Sequence, residues 1–299
     1  MKNQITIREA NSKTDTAAFW EQLHSYHERD IFPNPKDESL KHFLNDAEYR
    51  AQIEHVHNRP QDNCYYLFFQ RNGQDIGFAL PVIFTSEDGK CFIMEFCVYP
   101  EFRGNGTGRA CAAVFLDWAK ARGMLFIVDE IQSGMGRTGN LFRYQQEGLE
   151  PDILLTGKAL GNGMHIAAVL SRTPLATEDL HGFAGGSGDD AVACAAACEV
   201  FRQLDSGLLA HVQSVSRTLQ EGLTALEANE HVLTCRSCGL AAAIVLRNAP
   251  TCERVHHALT QRGFLPGRQE NVLFLKPPYV VTNEQILAFL AALRQELST

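Results

Sequence analysis

The chain has 299 residues, 45% of them hydrophobic and 21% charged, with 27 basic against 35 acidic side chains and a formal charge of −8. That is enough apolar residue for one large or two ordinary cores at roughly 100–200 residues per domain, so disorder as the general state is excluded. The acidic surplus is spread along the chain without a basic face, which excludes nucleic acid or an anionic membrane as the expected partner.

In chain order, Ile5 to Glu9 alternates as a strand, and helical periodicity follows around Thr16 to Asp30 and Glu38 to His55. Three strand-like runs come next, Cys64 to Gln70, Asp75 to Phe84 and Cys91 to Val98. The turn signals Arg71-Asn72-Gly73 and Ser86-Glu87-Asp88-Gly89 separate them. Connections this short make an antiparallel meander. A glycine-rich turn leads into a helix from Gly108 to Arg122 and a strand from Met124 to Asp129. Beyond it lie a loop at Ser133 to Gly139, a short helix, a buried strand Ile153 to Thr156, a second glycine loop Gly157 to Gly163 and a strand Ala167 to Ser171. A long Ala-rich helical region from Ala191 to Glu227 precedes a smaller α+β tail that ends in an amphipathic helix, Asn283 to Leu297. The texture changes near Gly123 without a Pro/Ser linker, so the two parts are expected to share an interface or a sheet.

No run approaches the roughly 18 apolar residues of a spanning helix, and MKNQITIREANSKTD lacks an apolar signal stretch. A cytoplasmic protein is expected. Nine cysteines, scattered through apolar segments, fit reduced core residues. Cys235 and Cys238 form a lone C-x-x-C with no second pair, so no metal site is expected.

Two segments carry chemistry. In Val98-Tyr99-Pro100-Glu101-Phe102-Arg103-Gly104-Asn105-Gly106-Thr107-Gly108-Arg109 a strand ends, spaced glycines free the backbone to turn its amides to one side, and a helix begins at once. Open amides and the positive end of a helix dipole make an anion site for a diphosphate. The same strand–glycine loop–helix–strand order, with Asp129 downstream, also mimics a dinucleotide fingerprint. The Pro100-Glu101-Phe102-Arg103 insertion counts against that, because a dinucleotide turn leaves its strand directly. Glu95, a carboxylate inside the apolar run Phe92 to Cys97, is a candidate general base if buried.

The pattern V-x-P-x-x-R-G-x-G-x-G after a meander strand resembles motif A of the GNAT acetyltransferases. The resemblance implies acetyl-CoA as cofactor. Its pyrophosphate would lie on the backbone of Arg103, Gly104, Gly106 and Gly108, lined by Asn105, Thr107 and Arg109. Phe96, Cys97 and Val98 would meet the thioester and pantetheine, with a main-chain amide near Cys97 on the thioester carbonyl and Glu95 as base. Tyr144, in a segment loosely similar to a later GNAT helix, is a candidate acid for the leaving thiolate.

From Leu125 the chain reads L-F-I-V-D-E-I-Q-S-G-M-G-R-T-G-N-L-F, then P-D-I-L-L-T-G-K-A-L-G-N-G at Pro151 to Gly163. One buried strand delivers Asp129 to a sheet edge and another delivers Lys158 into a glycine loop. Pyridoxal phosphate requires a carboxylate to keep its pyridine nitrogen protonated and a lysine to bond its aldehyde. Residues 124 to 299 resemble the C-terminal half of class III, ornithine- and acetylornithine-type aminotransferases. The resemblance implies Asp129 on the pyridinium, Gln132 at the ring hydroxyl and Lys158 as Schiff-base and catalytic lysine. Ala193 to Ala197 would be the Ala-rich helix after the partner-subunit phosphate loop, and Arg236 to Leu240 a small-domain motif. The sequence departs from that pattern at Gly185 to Asp190, which replaces a phosphate-binding threonine segment, and at His165 and Phe274. It also lacks roughly the first half of an aminotransferase.

The expected fold class is α/β (α+β): a GNAT-like mixed sheet with helices over residues 1–123, a partial fold-type I aminotransferase large domain over 124–230 and a small α+β domain over 231–299. The expected function is acetyl transfer to a small-molecule amine or amino-acid-like acceptor. The alternatives are a pyridoxal-dependent transaminase half, or a fusion that binds without catalysis. A truncated aminotransferase sheet left exposed predicts a homo-oligomer.

Overall fold

A computed structural model of the chain describes residues 4–31, 47–59, 62–87, 89–173 and 190–298. The chain divides into two compact units, residues 1–124 and 125–299.

The first unit opens with strand β1, Ile5–Glu9, and helix α1, Lys13–Tyr26. Ser12 caps α1, its side chain accepting from the Asp15 amide at 3.1 Å. The helix then widens into a π-helical turn, His27–Ile31. Helix α2 is described over Ala47–His57, so the part of the expected Glu38 to His55 helix before Ala47 lies outside the described residues. Asp88, in the second expected turn, also lies outside them.

The expected strand from Cys64 to Gln70 is two pieces, β2, Asn63–Cys64, and β3, Leu67–Arg71. Both pair with β4, Gln74–Ile83. Asn72 and Gly73, at φ 53° and 79°, form the tight turn between β3 and β4 that their residue types predict. Strand β5, Cys91–Val98, lies on the other edge of β4, with a register shift at Leu80/Pro81. Pro81 has no N–H to give the ladder. Alternation along β3 sends Phe68 to the core with Phe19, Trp20, Leu23 and Tyr49, and Leu67 and Phe69 to the core with Cys111, Phe115 and Trp118. The first set comes from α1 and α2; the second comes from helix α3, Thr107–Lys120. The sheet is therefore covered on both faces.

The second unit holds a three-stranded sheet: β6, Ile127–Asp129, runs parallel to β7, Ile153–Thr156, with the short helix α4, Tyr144–Glu147, between them in the chain, and β7 pairs antiparallel with β8, Ala168–Ser171. Strand β6 is shorter than the expected Met124 to Asp129 because the Asp152 side chain takes the Phe126 amide at 2.7 Å. The long helix expected from Ala191 is interrupted. Helix α5, Ala191–Gln203, and helix α6, Leu209–Leu226, meet across a π-helical turn in which Gly207 has φ 119°.

The four-stranded antiparallel sheet runs β11, Gly267–Gln269; β12, Val272–Leu275; β10, Ala241–Leu246; β9, Val232–Cys238. Helix α7, Ala249–Gln261, and helix α8, Asn283–Leu297, join α6 on it around Val215, Leu219, Ile244, Val255, Leu273 and Leu290. Helix α6, which precedes the expected boundary near residue 230, thus shares the core of the C-terminal sheet. Ile127, Val169 and Leu170 stay 47–59% exposed on the three-stranded sheet, and Leu125, just before β6, 64%.

Candidate functional sites

In the first unit, β5 ends at Val98 and the chain passes through a 3-10 turn, Pro100–Phe102, to three successive left-handed residues: Gly104, Asn105 and Gly106, at φ 86°, 47° and 77°. Helix α3 starts directly after them, with Gly106 as N-cap. The amides of Arg103 and Thr107 are used within the loop, on the carbonyls of Pro100 at 3.2 Å and Gly104 at 3.0 Å. Those of Gly104, Asn105, Gly106 and Gly108 have no acceptor among the described residues, and the bend is solvent-exposed. Open amides at a helix start attract anions, since the dipole end and the unsatisfied donors act together.

The expected phosphate-lining side chain of Thr107 does other work, as does the side chain of Arg103, whose backbone was the expected contact. Thr107 is 3% exposed, and its hydroxyl accepts from Arg71 at 3.3 Å, tying the helix start to β3. Arg103 donates through Nε to the Val98 carbonyl at 2.8 Å and forks onto Asp30, with Nη1 at 3.1 Å. Arg103, and after it Arg29, hold the Asp30 carboxyl well below the usual carboxylate range. Arg109 is exposed on the first turn of α3.

Glu95 retains 10% side-chain exposure on β5. Its Oε1 lies 3.0 Å from His27 Nε2 and accepts from the Tyr49 hydroxyl at 3.2 Å. Burial, then the Glu95 charge, keeps the Tyr49 phenol well above its ordinary pKa, so it stays a neutral donor. Neither His27 nor Tyr49 is marked by a local motif; they meet Glu95 from 68 and 46 positions away.

Phe96, Cys97 and Val98 pair with Ala79, Phe78 and Gly77 of β4. The Cys97 carbonyl points into β4, 2.2 Å from where a Cβ on Gly77 would sit, and the Tyr99 amide donates to Ile76 at 2.9 Å. Amides two apart on a strand face the same edge, so the Cys97 amide also faces β4. The outward donors at this end, flanking Cys97, are those of Phe96 and Val98.

In the second unit, parallel pairing sets Asp129 opposite Leu155, so Asp129 and the turn beginning at Lys158 both lie at the carboxyl ends of adjacent strands. Lys158 is exposed, at φ 45° for a non-glycine residue, and its amine has no hydrogen-bond partner among the described residues. Asp129 Oδ1 accepts from the Ile131 amide at 2.9 Å, and Gln132 Oε1 accepts from Lys276 at 3.3 Å. The sequence reading missed the neighbouring Glu130, which is 1% exposed. It takes the amides of Arg143 at 2.9 Å and Tyr144 at 2.6 Å and the Ser133 hydroxyl at 2.7 Å, fixing the loop under Asp129. Tyr144, the candidate thiolate acid, stacks on Phe142 in the second unit.

Asp129, Gln132 and Lys158 are the residues that would face the ring of a pyridoxal phosphate. The described residues supply no phosphate cradle: Asp190 caps α5, accepting from Val192 and Ala193 at 2.9 and 3.0 Å, and so fills that helix start with a carboxylate. The remainder of the departing segment, Gly185 to Asp189, lies outside the described residues. No metal-ligating cluster and no helix long and apolar enough to cross a membrane occur among the described residues.

Asp129 at the end of β6 and Lys158 in the turn after β7, followed by a small α+β sheet, make an arrangement that the comparisons with known proteins place in a family. Residues 109–297 match the model of aminotransferase class-III, and the chain belongs to that family. Residues 20–134 match the model of the acetyltransferase (GNAT) family, so the two matches overlap at 109–134. These families use pyridoxal phosphate and acetyl-CoA respectively.

The chain is 37% identical over 189 residues to acetylornithine aminotransferase 2 of Bordetella parapertussis, a match covering 59% of this chain and 48% of that one. It is 40% identical over 177 residues to acetylornithine aminotransferase of Bacillus anthracis, covering 56% and 44%. Among solved structures, acetylornithine aminotransferase from Elizabethkingia anophelis is similar with a TM-score of 0.56 and 28% identity, over 66% of this chain and 50% of that one. The chain spans about half the length of the curated relatives it matches.

Proposed function

We propose that the chain is an acetyl-CoA-dependent N-acetyltransferase acting on a small amine or amino-acid-like acceptor, carried together with a partial class-III aminotransferase region. The observation that supports it is the exposed left-handed bend whose Gly104, Asn105, Gly106 and Gly108 amides open onto solvent at the start of α3. Acetyl-CoA would supply an activated thioester. The bend would bind its diphosphate, and the outward Phe96 and Val98 amides would offer donors where charge develops on the thioester oxygen. Glu95 would take the proton from the acceptor ammonium, freeing the nitrogen lone pair for attack. The amide then forms as the C–S bond breaks, and the thiolate leaves with the second nitrogen proton.

The relatives' printed names support the acceptor class, because acetylornithine is an N-acetylated amino acid, the kind of compound that amino-acid acetylation produces. The test is calorimetric titration of the purified chain with acetyl-CoA, then thiol release over a panel of ornithine, other amino acids and simple amines. Binding and thiol release are expected; no heat at millimolar acetyl-CoA would end the reading. A second reading, pyridoxal phosphate binding at Lys158, is supported by the shared strand-end position of Lys158 and Asp129. The exposed Ile127, Val169 and Leu170 support self-association, read by light scattering.

A further inference from the structure

The acetyl-transfer reading uses Glu95 but leaves its two buried neighbours without a role. Helix α1 does not stop at Tyr26; it widens into the π-helical turn His27–Ile31, a conformation that is uncommon and concentrated at functional positions. The turn's first residue, His27, is 1% exposed and meets Glu95 Oε1, while its fourth, Asp30, holds Arg103. One turn is therefore anchored both to the candidate base and to the loop that would bind the diphosphate. Tyr49, 4% exposed, comes from α2 on the same face of the sheet and donates to the same Glu95 oxygen. Oε2 has no partner among the described residues.

We infer, resting on the acetyl-transfer reading, that His27 and Tyr49 are positioning residues for Glu95: together they clamp Oε1 within an apolar strand and leave Oε2 as the oxygen that takes the acceptor's proton. Two hydrogen bonds to the charged form favour it against the desolvation that burial imposes. With Nε2 protonated, His27 is a donor, as Tyr49 is. Three titratable groups among the described residues beside the site have shifted values. Burial, then the Glu95 charge, raises the Tyr26 phenol; burial raises the Cys97 thiol; and Asp30 stays ionised beside Arg103 and Arg29. The pH profile of transfer therefore reads the Glu95–His27–Tyr49 cluster.

The experiment compares the full chain with Tyr49→Phe, His27→Leu, His27→Gln and Glu95→Gln. It follows kcat, KM for acetyl-CoA and the pH profile of kcat/KM with the most active amine of the acceptor panel. A positioned base contributes on the order of 100-fold or more, so Glu95→Gln should lose that much. Tyr49→Phe and His27→Leu should each lose about tenfold in kcat and move the acidic limb to higher pH, because a carboxylate stripped of a donor binds its proton more tightly. KM for acetyl-CoA should stay within about twofold, since the diphosphate loop is untouched. His27→Gln, whose side-chain amide can donate to Oε1, should recover most of the rate and the wild-type limb.

Wild-type kcat and profile in both Tyr49→Phe and His27→Leu would overturn the inference, as would a His27→Gln loss equal to that of His27→Leu with no movement of the limb. If His27→Leu fails to fold, Tyr49→Phe decides, because it removes one hydroxyl and keeps the ring. Full activity in Glu95→Gln would overturn the clamp while leaving acetyl transfer standing. A wild-type chain that neither binds acetyl-CoA nor releases thiol would sink the acetyl-transfer reading itself.

Discussion

Gly106 is the position at which the diphosphate loop can be tested most directly. Its φ of 77° belongs to the left-handed region, where a residue with a Cβ costs about 1–2 kcal/mol. No atom lies within 4 Å of an added Cβ, so Gly106→Ala adds a backbone penalty and no clash. If the bend relaxes to remove that strain, the Gly106 amide and those beside it turn away. Hydrogen bonds to a charged group are worth about 1.5–3 kcal/mol, which is roughly 10- to 150-fold in affinity. Gly106→Glu adds a like charge: at about 6 Å from a phosphate, with an effective dielectric of 20–80, the repulsion is roughly 0.7–2.8 kcal/mol per phosphate charge. Gly106→Asn is the control, because Asn tolerates the left-handed region. Calorimetry with acetyl-CoA should therefore give wild type and Gly106→Asn within about threefold, Gly106→Ala weaker by about tenfold and Gly106→Glu by about 100-fold or more. The substituted chains should melt within a few degrees of wild type. Unchanged acetyl-CoA affinity in a folded Gly106→Glu would show that the diphosphate does not sit on this bend.

Pyridoxal phosphate should bind weakly, with Kd on the order of 1 mM or above, because each missing charge-assisted phosphate contact removes about 1.5–3 kcal/mol. Lys158→Ala should abolish the spectral change on titration, and micromolar binding, or binding indifferent to Lys158, would contradict the half-site. Glu130→Ala should strand the Ser133 hydroxyl and the Arg143 and Tyr144 amides in a buried place, lowering stability by about 3–5 kcal/mol in denaturant titration; a loss under about 1 kcal/mol would contradict it. Asp30 is depressed in the folded state, so its contribution is present above the unfolded carboxylate pKa of about 3.9 and fades as the pH falls through the lower folded value. Asp30→Asn should therefore destabilise the first unit at pH 7, by about 1 kcal/mol after allowing for partial exposure, and progressively less toward pH 2. A penalty that grows on acidification would refute the ion-pair account.

Short-range chemistry was legible from the residues alone. Asn72-Gly73 specifies its tight turn, the glycines at 104 and 106 specify the left-handed bend, and alternation along β3 assigns its two faces, because each depends on backbone geometry within a few positions. The order of strands and glycine loops likewise put Asp129 and Lys158 at neighbouring strand ends. Tertiary packing decided the rest. It directed Thr107 into the interior and Arg103 onto Asp30, turned the Cys97 amide toward β4, and broke the long helix at Gly207. It also brought His27 and Tyr49 onto a carboxylate many positions away, since which donors reach a buried oxygen is set by how helices seat on a sheet and leaves no trace in local periodicity.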